Sequence, residues 1–147
     1  MKKLIVIIFI ATAMGCSEQP GKVDYKSKRD EVMSLHDVVM ADHGIIVENQ
    51  MKLDTLLKDL KGLKIKYPEV DTAKEKANIS SLLADLTKAE DQMNNWMHKF
   101  EPDVSDKSKE AAVQYFEAEK LKISQIDSLY KKEIISSNAY LHQFRKP

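Results

Sequence analysis

Cysteine appears once in the chain, as Cys16, which excludes an internal disulfide and any zinc site built on several thiolates. Glycine and proline are scarce, four of each in 147 residues, and that scarcity argues against a turn-rich β fold and for long helices. No glycine-rich loop is there to cradle a phosphate, the G-x-S-x-G nucleophile elbow is missing, and no H-E-x-x-H occurs. None of the four histidines has a glutamate three residues before it, so the Glu-x-x-His pair of di-iron bundles is absent. An excess of one charge is lacking too. The 23 basic and 23 acidic side chains cancel, which removes the electrostatic reason to seek nucleic acid, whose binding rests on neutralising phosphates. These gaps leave an enzymatic reading almost nothing to stand on. The expectation is a protein with no catalytic residues, no resident cofactor and no nucleic-acid partner.

What is present starts with a leader. Met1-Lys2-Lys3 is basic, Leu4 to Ile10 is an unbroken apolar run, and mostly small residues lead through Gly15 to Cys16. This is the three-part layout of a secretory signal, and its apolar part is well short of the about 20 residues that a membrane-spanning helix needs. Ala13-Met14-Gly15-Cys16 resembles the bacterial lipobox, which implies that residues 1–15 are a signal peptide and that Cys16 is lipidated and becomes the new N-terminus. The alternative is an ordinary signal peptide with a chance cysteine beside its cleavage site. Several acyl chains, at about 0.8 kcal/mol per buried methylene, anchor a protein stably to a bilayer. Residues 16–29, with Pro20 and Gly21 and no apolar period, then read as the lipidated cysteine and a flexible polar tether.

Residues 30–147 carry the folded domain. Val32, Val39, Ile46, Leu53 and Leu60 recur every seven positions, and Leu35, Leu56 and Leu63 form a second row broken by Asp42 and Asn49. Two rows at a period of seven mark a helix packed along a seam. It is expected to start between Asp24 and Asp30 and to run to about Lys66, since Pro68 disfavours helix at Tyr67. Gly44 and Gly62 lie inside it, each costing about 1 kcal/mol against alanine. A second helix, capped by Asp71 or Thr72, carries Ile79, Leu82, Leu86, Ala89, Met93, Trp96 and Phe100 and ends at Pro102. A third, capped by Ser105, runs from about Asp106 to Phe144 with Ala112, Phe116, Ile123, Ile126, Tyr130, Ile134, Leu141 and Phe144 on its stripe. Glu119 and Ser137 interrupt that stripe, so the third helix is expected to hold its seam less tightly. Short connections make neighbouring helices antiparallel. The fold expected is all-α, an antiparallel up-down-up three-helix bundle of coiled-coil character.

One constellation invites chemistry. Met33-x-x-His36 and Met40-x-x-His43 repeat one heptad apart, and Met93, Trp96, Met97 and His98 crowd the second helix. Folding the hairpin about residues 67–70 brings Met40 level with Met97 and His43 level with Asn94. His36, Met40, His43, Met93 and Met97 then become candidate ligands for copper, because thioether and imidazole suit the cuprous ion. Trp96 would be the aromatic neighbour, its face stabilising a nearby cation. Core packing competes with this, since methionine and tryptophan at helical spacing commonly fill a core and a seam histidine pairs with a nearby acid, here Asp37 or Glu101. A haem held between Met and His, or another small ligand, are further alternatives.

The same residues carry a resemblance. Leu35-His36-Asp37-Val38-Val39-Met40 and Gln92-Met93-Asn94-Asn95-Trp96-Met97-His98-Lys99-Phe100 resemble the two signatures of small exported lipoproteins of the Bacteroidetes type, some labelled "viral A-type inclusion protein". Val38 stands where that pattern has an acid, and Gln92 where it has a methionine. The resemblance implies an all-helical, lipid-anchored protein of the bacterial cell envelope, periplasmic or surface-facing, and Ser17-Glu18-Gln19 leans toward the outer membrane. The function expected is a binding or spacing module for another envelope protein, acting through a helix face or the His/Met end. Two alternatives stand beside it: soft-metal (copper) binding by the cluster, and a self-associating coiled-coil subunit whose third helix completes a seam with another copy.

Overall fold

The computed structural model describes residues 24–144; the leader, Cys16, the tether up to residue 23 and the last three residues lie outside the described part. Among the described residues every regular element is helical and there is no strand: α1 (Tyr25–Lys58), α2 (Leu60–Lys66), α3 (Thr72–Lys99) and α4 (Lys109–His142). None of these helices is long and apolar enough to cross a membrane.

α1 begins at Tyr25, inside the range expected for its start, so residues 25–29, read above as the end of the tether, form its first turns. Asp24, in extended backbone, accepts from the Lys26 N–H and caps it. The row Val32, Val39, Ile46 and Leu53 is fully buried. The single helix expected through Lys66 is divided at Asp59, giving four helices rather than three. Asp59 leaves helical dihedrals (φ −120°, ψ 51°), and its carboxylate turns to accept from the Gly62 N–H at 2.8 Å, capping α2. A Cβ on Gly62 would lie 2.1 Å from that carboxylate, so the glycine makes room for the cap.

Asp71 caps α3 as expected, accepting from the Ala73 and Lys74 N–H groups, and these two backbone donors hold its carboxyl below the usual range. The cap of α4 is Ser108, not Ser105. The chain is pinned as a turn before the helix can begin: Asp103 accepts from the Ser105 N–H, Lys107 N–H bonds back to the Val104 carbonyl, and Val104 is buried in the core.

α1, α3 and α4 each pack against the other two, and α2 lies against α3. The core joins Val32, Val39, Ile46 and Leu53 to Ile79, Leu86, Ala89, Met93 and Trp96, and to Phe116, Ile123 and Tyr130. Here the expected looseness of the third helix is reversed. α4 buries ten residues against five for α1 and five for α3, and Glu119 and Ser137 are among them.

Candidate functional site

Polar side chains are threaded through this core, and several have partners on another helix. Asn49 of α1 donates to Ser137 Oγ (2.9 Å) and to Asn138 Oδ1 (3.0 Å) of α4. Ser137 Oγ in turn donates to the Glu133 carbonyl one helical turn back. Trp96 Nε1 of α3 donates to Glu119 Oε2 of α4 at 2.8 Å, and Lys122 donates to the other Glu119 oxygen at 2.6 Å. That hydrogen bond raises the Lys122 ammonium above its ordinary range. At the opposite end the Tyr140 hydroxyl donates to Glu75 Oε2 (2.5 Å), and burial with the neighbouring carboxylate pushes the phenol upward. Lys120 of α4 donates to Glu31 of α1 at 2.6 Å and holds that carboxyl low.

The two histidines of α1 fall into separate settings. His36 Nδ1 sits 3.0 Å from Asp37 Oδ1, and its ring lies tilted beside the Trp96 ring at 6.1 Å. His43 Nδ1 is 3.4 Å from the Tyr130 hydroxyl and its Nε2 is 3.8 Å from Glu90 Oε1, while Gln50 donates to the other Glu90 oxygen at 2.6 Å. This node joins α1, α3 and α4. Tyr130 is fully buried, and burial together with Glu90 pushes its phenol up to about 12.

The methionines divide as well. Met93 is buried in the core, whereas Met40 and Met97 are both more than a third exposed. Trp96 stacks on Phe100 at 4.8 Å, and Phe100 continues to Tyr115 and Phe116. The structure thus brings His36 to Trp96, ties His43 to Tyr130 and Glu90, and gives Met93 to the core. Among the described residues no three His, Cys, Asp or Glu side chains are grouped to hold a metal ion. Cys16 lies outside the described residues.

Over Trp96 runs an open groove of about 350 Å³ between α3 and α4, lined by Gln92, Asn95 and Lys99 on one side and Lys122, Gln125 and Ile126 on the other. Sequence reasoning missed Glu119 here. A buried indole N–H needs an acceptor, and an acid on the stripe of the next helix was the available signal. Comparison with known proteins finds no matching family model, no matching curated protein and no matching solved structure.

Proposed function

We propose that the chain is a lipid-anchored, non-enzymatic helical module of the bacterial cell envelope, held at the outer membrane through acylated Cys16, that binds or spaces another envelope protein. Its three long helices form an up-down-up rod. Supporting that arrangement, the bonds between α1 and α4 keep a nearly constant separation of 89, 87 and 88 residues at Glu31–Lys120, His43–Tyr130 and Asn49–Ser137. Two helices meeting at a fixed offset run side by side in one direction. α3 meets them with falling numbers, His36 against Trp96 and Gln50 against Glu90 on α1, Trp96 against Glu119 and Glu75 against Tyr140 on α4.

The observation that carries the functional reading is what the buried polar groups are spent on. Asn49, Glu119, Glu133 and Ser137 each hold a hydrogen bond or ion pair within the molecule. Chemistry of that kind fixes the alignment of rods. At 1.5 Å per residue, 34-residue helices make a body about 51 Å long, a length suited to reach and display.

Metabolic labelling with a palmitate analogue tests the anchor. The natural chain is expected to take up label and sediment with membranes, and Cys16→Ser to lose the label. An unlabelled natural chain, or a Cys16→Ser variant that still carries lipid, contradicts the proposal.

A further inference from the structure

We infer that His36, Met40 and Met97, on the flank where α1 faces α3, form a binding site for a single cuprous ion, with Trp96 as its aromatic neighbour. Such a site goes beyond the module reading and does not depend on it. The first observation is the register of the two helices. Glu90 of α3 is approached from two sides, by His43 Nε2 at 3.8 Å and by Gln50 Nε2 at 2.6 Å, and those two residues are one heptad apart on α1. Met97 follows Glu90 by one heptad on α3, and His36 precedes His43 by one heptad on α1. The antiparallel pairing that sets Glu90 between His43 and Gln50 thus sets Met97 between His36 and His43, at the level of Met40. The His36 ring beside that of Trp96, at 6.1 Å, gives the same level independently.

The second observation separates ligands from packing groups. Met93, one turn from Met97, is 1% accessible and fills the core, while Met40 and Met97 are 38% and 37% accessible. A methionine that only filled a gap would be covered as Met93 is. Met40 and Met97 instead stand partly out of the seam on facing helices, open to an incoming ion. His36 has a nitrogen to offer them. A carboxylate only accepts, so with Asp37 Oδ1 3.0 Å from Nδ1 the proton of the neutral ring belongs on Nδ1, and Nε2 keeps its lone pair. A carboxylate on the far nitrogen is the arrangement that orients a metal-binding imidazole and raises its basicity. His43 lacks that freedom, because its Nδ1 lies 3.4 Å from the Tyr130 hydroxyl and its Nε2 is turned to Glu90. His43 and Met93, both candidates in the sequence, drop out of the ligand set.

Donor chemistry decides which ion fits. One imidazole and two uncharged thioethers are a soft set, which selects Cu(I). Zinc takes thiolate, imidazole and carboxylate, and calcium and magnesium take oxygen. Among the described residues no three His, Cys, Asp or Glu side chains are grouped, so the flank offers those ions no rival set. A monovalent ion on three neutral donors keeps its charge, and the nearby indole face can help to offset it.

The test uses the full chain in mild detergent with Cys16→Ser, which removes its only thiol as a rival ligand. Under anaerobic reducing conditions, competition with a chromogenic cuprous chelator should show one ion per chain bound below the micromolar range, with quenching of Trp96 fluorescence. Met40→Leu with Met97→Leu, a change that nearly conserves volume, should weaken binding by about a hundredfold, and His36→Gln or Asp37→Asn by about tenfold. The leucine pair should leave the thermal midpoint of the ion-free chain within a few degrees, so that lost binding there cannot be put down to lost folding. His43→Gln and Met51→Leu should each change the affinity less than about twofold, since neither side chain belongs to the ligand set. In the natural side chains, the 13C-labelled methyl signals of Met40 and Met97 should shift on adding one equivalent of ion, while that of Met51 stays in place. No binding at micromolar ion, binding that survives the leucine pair, zinc held as tightly as the cuprous ion, or dependence on His43 in place of His36 overturns the inference.

Discussion

Trp96 is buried because Glu119 supplies the one acceptor its indole N–H needs from across the α3–α4 seam. Glu119 is itself buried, and Lys122, standing mostly in water, balances its charge from outside. Removing the acceptor leaves a buried donor unpaired, which costs about 1–3 kcal/mol. Glu119→Ala should therefore lose at least that much in a denaturant titration, whereas Glu119→Gln, which keeps an acceptor oxygen, should lose less than half as much. Equal losses would mean that the hydrogen bond contributes little. Tyr130 makes a pH prediction. Its phenol is held up at about 12 when folded against about 10 in a free chain, so the neutral form belongs to the folded state. That contribution is complete below pH 10 and disappears as pH rises through 12, a span of about 2–3 kcal/mol. Tyr130→Phe should flatten the fall in unfolding free energy over that window relative to the natural chain. An unchanged slope would contradict the assigned cause.

At the scale of the element, the turn between α1 and α2 rests on two residues that oppose each other sterically. Gly62→Ala alone should destabilise by about 1 kcal/mol, because its Cβ would displace the Asp59 cap. In an Asp59→Ala background the same change should stabilise by a similar amount, since no cap remains to lose and alanine favours helix. A double-mutant cycle read by thermal denaturation checks this, and additivity within 0.3 kcal/mol or so would refute the coupling. The break also marks the limit of what the sequence discloses. The fully buried row Val32, Val39, Ile46 and Leu53 was legible because burial and the period of seven coincide at every position. Asp59 was not, because an aspartate on a long helix looks like solvated charge until its carboxylate is seen turning to Gly62. Ser137 and Glu119 read as interruptions for a similar reason: their partners, Asn49 and Trp96, lie on other helices, and a pattern along one helix carries no record of them. The position of Ser108 depended on the Asp103–Ser105 turn, which competes with a helix start at the earlier serine. Of the His/Met gathering, the sequence foresaw the approach of α1 to α3. It did not foresee that Tyr130 and Glu90 would hold His43, away from the Trp96 ring that His36 lies beside.

At the scale of the whole molecule, the inward faces of α1, α3 and α4 are spent on one another. Ties at both ends, Lys120–Glu31 near the start of α1 and Tyr140–Glu75 near the start of α3, leave neither end to the core alone. The most direct test of this arrangement is the rate at which paired cysteines are joined by a short crosslinker in a Cys16→Ser background. Glu31→Cys with Lys120→Cys should crosslink rapidly, as should Asn49→Cys with Asn138→Cys, while Glu31→Cys with Asn138→Cys should stay unjoined. Rapid joining of that last pair, or slow joining of the first, would contradict a parallel alignment of α1 and α4, and with it the proposed up-down-up rod.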